Sequence, residues 1–361
     1  MNTESAIHLL EWYDRQARTM PWRMPPEASR RGMRTDPYHV WLSEVMLQQT
    51  QVATVAAYFR KFVENWPTVG DLARADTDDV MKAWAGLGYY SRARNLKKCA
   101  EVVAFELGGT FPQNPEDLRK LPGVGDYTSA AISAIAFNKQ VPVVDGNVER
   151  VVTRLGEIDA PVPAAKPLVR AIVEQMVPPE RPGDFAQAMM DLGATLCSPK
   201  RPSCLLCPLQ GACGANASGN QERYPVKLTK PQKPQRKGAA YVAIDPVGRV
   251  FLVKRGENGM LGGMSGVPTT GWGVRQDGGT GTAQAPFAGE WQMAGKISHV
   301  FTHFSLELEV WVAPGITCAA QDGWWVEIEK LPGEALPTVM KKVIAAAIPQ
   351  AFKSVRGISK P

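Results

Sequence analysis

The amino-acid sequence lacks the features that mark membrane and secreted proteins. No run approaches the roughly 20 apolar residues that a membrane-spanning helix needs. Glu4, Glu11 and Asp14 interrupt the stretch where a signal peptide has its apolar core, so no secretion signal is predicted. Six cysteines in such a chain are more typical of metal ligands or buried thiols than of a disulfide framework. We therefore expect a cytoplasmic protein that does not bind membranes.

The chain of 361 residues is longer than one ordinary hydrophobic core needs, which favours two domains. Hydrophobic residues make up 44% and charged residues 21%, a composition typical of globular proteins. The net charge of +6 favours a polyanionic partner but does not identify one.

The first part of the chain has almost no alternation of polar and apolar residues with period two. From Ser5 to about Ala194, amphipathic runs alternate with short turns, as at the helix start around Asp76, the stop at Gly108-Gly109 and the start at Pro115. The pattern predicts an all-α domain over residues 1–215.

A basic segment then separates this part from one with a different period. Residues 216–238 are predicted to form a linker, because Arg223 to Lys237 carry six basic residues, three prolines and no acid. Strands are predicted at residues 240–244 and 250–253 and in the alternating run from Ser305 to Val312. Residues 239–361 should therefore form an α+β domain, in which Gly271 to Gly289 is a loop.

Four cysteines close the helical part with the spacing C-x6-C-x2-C-x5-C. Cys197, Cys204, Cys207 and Cys213 can wrap one iron-sulfur cubane with four thiolates, and with all ligands from the protein the site should be structural. A structural zinc site is the alternative, although it usually has two C-x2-C pairs. Cys99 and Cys318 stand alone and are assigned to packing.

A glycine turn lies between two predicted helices at Leu121-Pro122-Gly123-Val124-Gly125. Gly123 and Gly125 let backbone N–H groups point outward where a helix begins, which suits an anion such as a DNA phosphate; a plain helix connector is the alternative. Twenty residues later, Asp145 stands where an extended run meets a helix. It is an N-cap candidate, and the helix N–H groups would hold its carboxylate ionised.

The segment from Val40 to Gln49 is apolar nearly all round and predicts a buried helix with Glu44 at its centre. No basic residue stands three or four positions from Glu44. Burial should raise its pKa and make it a general acid near neutral pH. A distant partner such as Arg23 would instead make Glu44 structural.

Several segments together resemble one enzyme family. WLSEVMLQQTQV (41–52), GLGYYSRARNL (86–96), LPGVGDYTSAA (121–131), VDGNVERV (144–151) and the four-cysteine loop closely resemble the bacterial adenine DNA glycosylases of the MutY type, in the helix-hairpin-helix endonuclease III superfamily. The resemblance is dense from Trp12 to about Cys213. Endonuclease III relatives place a Schiff-base lysine where this chain has Tyr127, so a monofunctional glycosylase is favoured over a lyase.

The resemblance implies that the enzyme flips adenine out of duplex DNA and hydrolyses its bond to the sugar. Glu44 would protonate N7 of adenine and Asp145 would stabilise an oxocarbenium-like sugar, supported by Tyr127 and Asn147. The implied adenine pocket, base-stack wedge and cofactor are Arg18, Trp22, Leu47 and Gln187; Gln49 and Tyr89; and a 4Fe-4S cluster on the four cysteines. Without the resemblance, core packing would be preferred for the aromatic and apolar members. The implied partner is double-stranded DNA with adenine opposite 8-oxoguanine or guanine, bound by a monomer associated with the bacterial nucleoid.

The distal domain resembles, more weakly, the Nudix-like module that recognises 8-oxoguanine in this family. Phe301, Thr302 and His303 stand where relatives commonly have Phe-Ser-His. The acids between Ala240 and His303 are scattered, so magnesium-dependent hydrolysis is not expected; they are Asp245, Glu257, Asp277 and Glu290. Two further departures are Glu149, where some relatives have lysine, and the basic insertion from Glu27 to Arg34.

Three alternative functions remain at this point. The first is a bifunctional glycosylase and lyase for oxidised pyrimidines. The second is a nucleotide pyrophosphatase in the distal domain, which the missing glutamate cluster disfavours. The third is a mispair-binding protein without catalysis, against which the presence of both Glu44 and Asp145 argues.

Overall fold

The computed structural model of the chain describes residues 3–228, 232–256, 259–317 and 322–352. The chain divides into two compact units, Met1–Arg74 with Asn95–Lys230, and Ala75–Arg94 with Pro231–Pro361. Each unit has its own buried apolar core. Within the described ranges, no helix is both long enough and apolar enough to cross a membrane.

Helices dominate the chain as far as the cysteine loop, and the described residues from 5 to 194 contain no strand, as the sequence predicts. The helices of this part are α1 (Thr3–Gln16), α2 (Pro26–Arg30), α3 (Pro37–Leu47), α4 (Val52–Asn65), α5 (Val69–Arg74), α6 (Thr77–Trp84), α7 (Ser91–Glu101), α8 (Pro115–Leu118), α9 (Asp126–Phe137), α10 (Gly146–Leu155), α11 (Lys166–Met176), α12 (Pro182–Thr195) and α13 (Gly214–Ala217). A π-helical turn (Val102–Glu106) extends α7, and short 3-10 turns occur at Cys204–Leu206, Gln210–Ala212 and Gln221–Arg223.

The predicted helix boundaries are confirmed by their capping contacts. The Asp76 side chain accepts a hydrogen bond from the Asp78 backbone N–H at 2.8 Å and starts α6. The helical turn after α7 ends before Gly108 and Gly109, whose φ angles of 61° and 82° lie in the left-handed region. Helix α8 begins at Pro115, as predicted.

The main core of the first unit lies between α1, α10, α11 and α12. Helix α12 is buried from Pro182 to Gly193, as expected of a helix at the centre of a bundle. Its apolar neighbours on the other three helices include Leu9, Tyr13, Val148, Val152, Val169 and Val173. This packing fixes the start of α10, which carries Asp145, relative to α12.

The second unit contains two three-stranded sheets, with strand orders β1-β5-β4 and β3-β2-β6. The strands are β1 (Gln235–Ala243), β2 (Val250–Lys254), β3 (Ser265–Gly266), β4 (Gln292–Val300), β5 (Ser305–Ala313) and β6 (Gly323–Val326). β1 runs parallel to β5, with Gln235 opposite Ser305, and β4 and β5 form an antiparallel hairpin. β1 thus begins inside the segment 216–238, because backbone pairing with β5 extends it to Gln235.

The predicted strands are confirmed, and their burial explains the sequence pattern. Leu306, Leu308 and Val310 of β5 face the core, while the residues between them are half-buried. Helix α14 (Thr338–Ala347) packs on this sheet through Val339, Met340 and other apolar residues. Residues 271–289 contain no helix or strand, as predicted for a loop.

Candidate active site

Glu44 lies in the middle of α3 and only 6% of its surface is exposed. Asp36 starts the helix by accepting a hydrogen bond from Tyr38 N–H at 2.8 Å. The helix ends at Leu47, because Gln48 leaves the helical conformation and Gln49 has a left-handed φ of 58°. The predicted extension through Gln49 is therefore wrong: both polar residues line a cavity, and Gln48 Nε2 donates to Thr128 Oγ1 at 3.3 Å outside the helix.

Burial raises the pKa of Glu44 from 4.5 to about 7. The Tyr127 hydroxyl donates a hydrogen bond to Glu44 Oε2 at 2.7 Å and opposes this rise. The nearby charge of Asp145 raises the pKa further, whereas that of Arg23 lowers it. A substantial fraction of Glu44 is therefore protonated at neutral pH, which is the state that a general acid needs.

Arg23 is engaged by a residue that the sequence analysis missed. Its Nη1 lies 2.7 Å from Asp191 Oδ2, and Arg18 Nε lies 2.6 Å from Asp191 Oδ1. The Asp191 side chain on α12 is fully buried, so two cations and the Arg18 backbone N–H compensate its charge. Asp191 is an acid within an apolar helix, as Glu44 is, so the same sequence pattern could have identified it as a buried site residue. Arg23 is thus the ion-pair partner of Asp191, and Glu44 has Tyr127 as its hydrogen-bond donor.

Asp145 is the N-cap residue of α10. One carboxylate oxygen accepts from the backbone N–H groups of Asn147 (2.9 Å) and Val148 (2.7 Å). The other accepts from the Asn147 side-chain amide at 2.9 Å. Asp145 therefore caps the helix as predicted, with hydrogen-bond donors on both carboxylate oxygens.

Arg150 holds Asn147 from the opposite side, a contact that the sequence analysis also missed. Its Nη2 donates to Asn147 Oδ1 at 2.9 Å and to the Gly193 carbonyl at 2.6 Å, and its Nε donates to the Cys197 carbonyl at 2.8 Å. Gly193 permits close packing of α12 on α10, because a Cβ there would lie 2.6 Å from Asn147 Cβ. The orientation of Asp145 thus depends on α12 and on the first residue of the cysteine loop.

One cavity of about 1040 Å³ brings most of the predicted site residues together. Its lining includes the four predicted catalytic residues, the four predicted adenine-pocket residues and Gln49: Glu44, Tyr127, Asp145, Asn147, Arg18, Trp22, Leu47, Gln187 and Gln49. Trp22 packs edge-on against Phe59 at 5.4 Å, so it serves the core as well as the cavity wall. The volume lies at the upper end of the range for small-molecule sites and would hold a nucleotide.

Two glycines shape the predicted DNA-binding hairpin between α8 and α9. Gly123 and Gly125 are exposed, and Gly123 has a left-handed φ of 75°. A Cβ at Gly123 would lie 2.7 Å from Asn95 Cβ, so a larger residue would displace the turn from α7. Gly125 is the N-cap residue of α9, which leaves the first backbone N–H groups of that helix without a capping side chain.

Tyr89, the second predicted wedge residue, lies in the second unit. It is 47% exposed and has a φ of 48°. Its hydroxyl is 2.9 Å from Thr302 Oγ1, so two residues predicted to contact DNA meet in this unit.

The predicted lesion motif forms the turn between β4 and β5. Thr302 and His303 are exposed, whereas the Phe301 ring stacks on Phe304 with a centroid distance of 4.9 Å. Among the acids of this unit, Asp245 accepts bonds from the backbone and side chain of Arg249, and Asp277 accepts from Lys237 N–H. Glu257 lies outside the described residues.

The four cysteines of the loop lie near one another in the first unit. Burial raises the pKa of Cys207 to about 11, and the neighbouring thiol charges of Cys197, Cys213 and Cys204 add to the rise. Arg154 Nη1 donates to Cys197 Sγ at 3.3 Å. Across the described ranges, no three His, Cys, Asp or Glu residues converge on a position for a single metal ion. A cubane spreads its ligands over separate irons, so four neighbouring cysteines beside an arginine fit it chemically.

Two cysteines, Cys99 and Cys318, lie outside the cysteine loop. Cys99 is fully buried, which confirms its assignment to packing. Cys318 lies outside the described residues.

Comparison with known proteins identifies the class of each part. The model of the HhH-GPD superfamily of base excision DNA repair proteins matches residues 42–179, and that of the NUDIX domain matches residues 239–346. The structure of a thermostable thymine-DNA glycosylase is 28% identical, covers 60% of this chain and 97% of its own, and has a TM-score of 0.53. The helical part therefore has the fold of a base excision repair glycosylase.

Relatives matched over most of their length identify the family. The human adenine DNA glycosylase is 34% identical over 93% of this chain and 72% of its own length. The adenine DNA glycosylase of Mycobacterium tuberculosis is 40% identical over 67% of this chain and 74% of its own length. The chain belongs to the adenine DNA glycosylase (MutY) family.

Proposed function

We propose that this protein is a monofunctional DNA glycosylase that removes adenine mispaired with 8-oxoguanine or guanine. The observation that carries the proposal is a pair of carboxyl groups that line one cavity in different surroundings. Burial raises the pKa of Glu44, whereas Asp145 caps a helix and accepts three hydrogen bonds.

The pair supplies what cleavage of a glycosidic bond requires. Glu44 donates its proton to N7 of the flipped adenine, the C1′–N9 bond breaks, and its electron pair moves into the purine, which leaves neutral. Asp145 stabilises the positive charge that develops on the sugar. Water then adds to C1′ and releases a proton. Tyr127 orients Glu44 and Asn147 orients Asp145 through the hydrogen bonds described above.

The remaining walls of the cavity suit a purine. We assign adenine binding to Arg18, Trp22, Leu47 and Gln187, with Arg18 fixed by its bonds to Asp191. Gln49 and Tyr89 would enter the base stack, and both have the left-handed backbone that often marks functional positions. The N–H groups at Gly123 and Gly125 would bind a DNA phosphate.

Recognition of the base opposite adenine is assigned to Phe301, Thr302 and His303. The exposed Thr302 hydroxyl hydrogen-bonds to the Tyr89 hydroxyl in the same unit, and it can donate to a base while it accepts from Tyr89. Asp245 and Asp277 are used in local contacts, so we propose that the unit binds a base without hydrolysing it. Residues 1–215 would then carry the chemistry and residues 239–361 the lesion specificity, connected by 216–238.

Cys197, Cys204, Cys207 and Cys213 would hold a 4Fe-4S cluster. When bound, the cluster would hold the loop together. Arg150 links this loop to Asn147, because it donates both to the Cys197 carbonyl and to Asn147 Oδ1. We further propose that the protein acts as a monomer on nucleoid DNA.

A single-turnover assay tests the proposed function. Enzyme in excess is mixed with duplexes that place adenine opposite 8-oxoguanine, guanine, cytosine or thymine, and a thymine-glycol duplex represents the lyase alternative. We expect the fastest adenine release opposite 8-oxoguanine and slower release opposite guanine. Release of thymine glycol together with efficient borohydride crosslinking to an abasic duplex would contradict the proposal.

A further inference from the structure

The turn that carries Tyr89 has an unusual backbone. Between α6 and α7, Gly86, Gly88 and Tyr89 have φ angles of 113°, 71° and 48°. The left-handed region costs little at glycine but about 1 kcal/mol or more at a tyrosine. Contacts elsewhere in this part of the unit must therefore hold Tyr89 in place.

Arg92, on the first turn of α7, makes those contacts. Its Nη2 lies 3.1 Å from the carbonyl oxygens of Leu87 and Gly88, and the Trp84 indole N–H also donates to Gly88 at 3.1 Å. The guanidinium carbon lies 5.2 Å from the Trp84 ring centroid and 5.5 Å from that of Tyr89. One side chain thus binds the turn backbone and one face of the Tyr89 ring.

The environment of Arg92 is unusual for an arginine. The residue is only 8% exposed, and burial lowers the pKa of its guanidinium to about 10. Burying a cation is costly, and two aromatic faces with two carbonyls offset that cost. The same contacts orient a half-exposed tyrosine, so they link this buried charge to the surface assigned to DNA.

We propose that Arg92 is a positioning residue that preorganises Tyr89 for insertion beside the mispair. This inference rests on the proposed function, because it acts through the wedge role assigned to Tyr89. Preorganisation lowers the entropic cost of binding, so loss of Arg92 should weaken mispair binding without slowing the chemical step.

The test is a double-mutant cycle with Arg92→Gln and Tyr89→Ala. Binding is measured by anisotropy on a duplex with 2′-fluoro-2′-deoxyadenosine opposite 8-oxoguanine, since the fluorine blocks cleavage. Each single variant should raise Kd on the order of tenfold. The double variant should bind within about twofold of Tyr89→Ala, because residues that act through one another are not additive. Lys82→Gln, an exposed charge removed from α6 in the same unit, is the control for general electrostatic loss.

Two further measurements separate positioning from folding. At saturating concentrations of the Arg92→Gln variant, the adenine excision rate should stay within about twofold of wild type. The fluorescence of 2-aminopurine placed beside the lesion should report reduced stacking of the Tyr89 ring on the bases. If Arg92→Gln unfolds, Arg92→Lys keeps a cation near the Tyr89 ring but loses the planar fork, and its smaller loss should vanish in the Tyr89→Ala background.

The outcomes distinguish the two claims. If Tyr89→Ala leaves Kd unchanged, the wedge role fails and the inference fails with it. If Tyr89→Ala weakens binding while Arg92→Gln has no effect, or adds an independent factor, the inference on Arg92 is overturned and the wedge role stands.

Discussion

Glu44 and Asp145 carry the same functional group in different surroundings. Glu44 lies in an apolar helix, where burial is the largest influence on its pKa. Asp145 caps a helix, and its two carboxylate oxygens accept three hydrogen bonds. In the proposed reaction, these two carboxyl groups would serve as the general acid and as the stabiliser of positive charge.

The pKa of Glu44 sets the expected pH dependence of excision. The acid form predominates below pH 7, and its fraction falls about tenfold per pH unit well above the pKa. Single-turnover rates should therefore decline above about pH 7. Tyr127→Phe removes a hydrogen bond that lowers this pKa, so its decline should begin at higher pH. An unshifted profile in Tyr127→Phe would mean that another group titrates.

The same shift predicts a cost in stability. Because the folded pKa of Glu44 lies above the unfolded value, the fold binds more protons than the unfolded chain between pH 4.5 and about 7. Stability is lost as pH rises through this window. Glu44→Gln should remove the loss, giving a gain that grows to about 3 kcal/mol by pH 8 and is absent at pH 4.

Urea unfolding of both proteins at pH 4, 6 and 8 measures this gain in stability. Asp145→Ala serves as the contrast, since it removes the cap of α10 and should lower stability at pH 8. A Glu44→Gln variant that is less stable than wild type at pH 8 would show that the glutamate is a structural residue.

The close approach of helices α10 and α12 positions Asn147. Gly193→Ala would place a Cβ 2.6 Å from Asn147 Cβ and 3.0 Å from its carbonyl oxygen. We expect a loss of about 1–3 kcal/mol from overpacking and a slower excision rate, because Asn147 holds Asp145. Gly333→Ala, where nothing lies within 4 Å and no proposed site residue is near in sequence, is the control. Normal excision by a destabilised Gly193→Ala variant would dissociate the helix contact from catalysis.

The sequence predicted the elements better than the contacts between them. The helix starts at Asp76 and Pro115 and the alternation in β5 depend on neighbouring residues, so local patterns predict them. The pairing of Arg18 with Asp191 joins residues 173 positions apart, and the parallel pairing of β1 with β5 likewise depends on the tertiary fold. Helix α3 ends two residues before the predicted end, because no local sequence pattern indicates that Gln48 and Gln49 line a cavity.

The proposed function assigns bond cleavage and lesion recognition to different units of the molecule. Glu44 and Asp145 lie in the first unit, whereas Phe301 to His303 form a turn in the second, with Thr302 and His303 exposed. Adenine is the same leaving group opposite either guanine or 8-oxoguanine, so the chemical residues alone do not distinguish the two duplexes. Selectivity between them must come from contacts to the opposite base.

Replacing Phe301, Thr302 and His303 together by alanine should therefore reduce the preference for 8-oxoguanine over guanine, on the order of tenfold for lost base contacts. The excision rate opposite guanine should change little, because the Glu44 cavity is intact. Single-turnover rates on both duplexes measure the ratio, and Val247→Ala, another exposed position in this unit, controls for unspecific damage. Equal slowing on both duplexes would indicate that the turn supports DNA binding in general. A selective loss opposite 8-oxoguanine would assign lesion specificity to the β4–β5 turn, with threonine at position 302 as its hydroxyl donor.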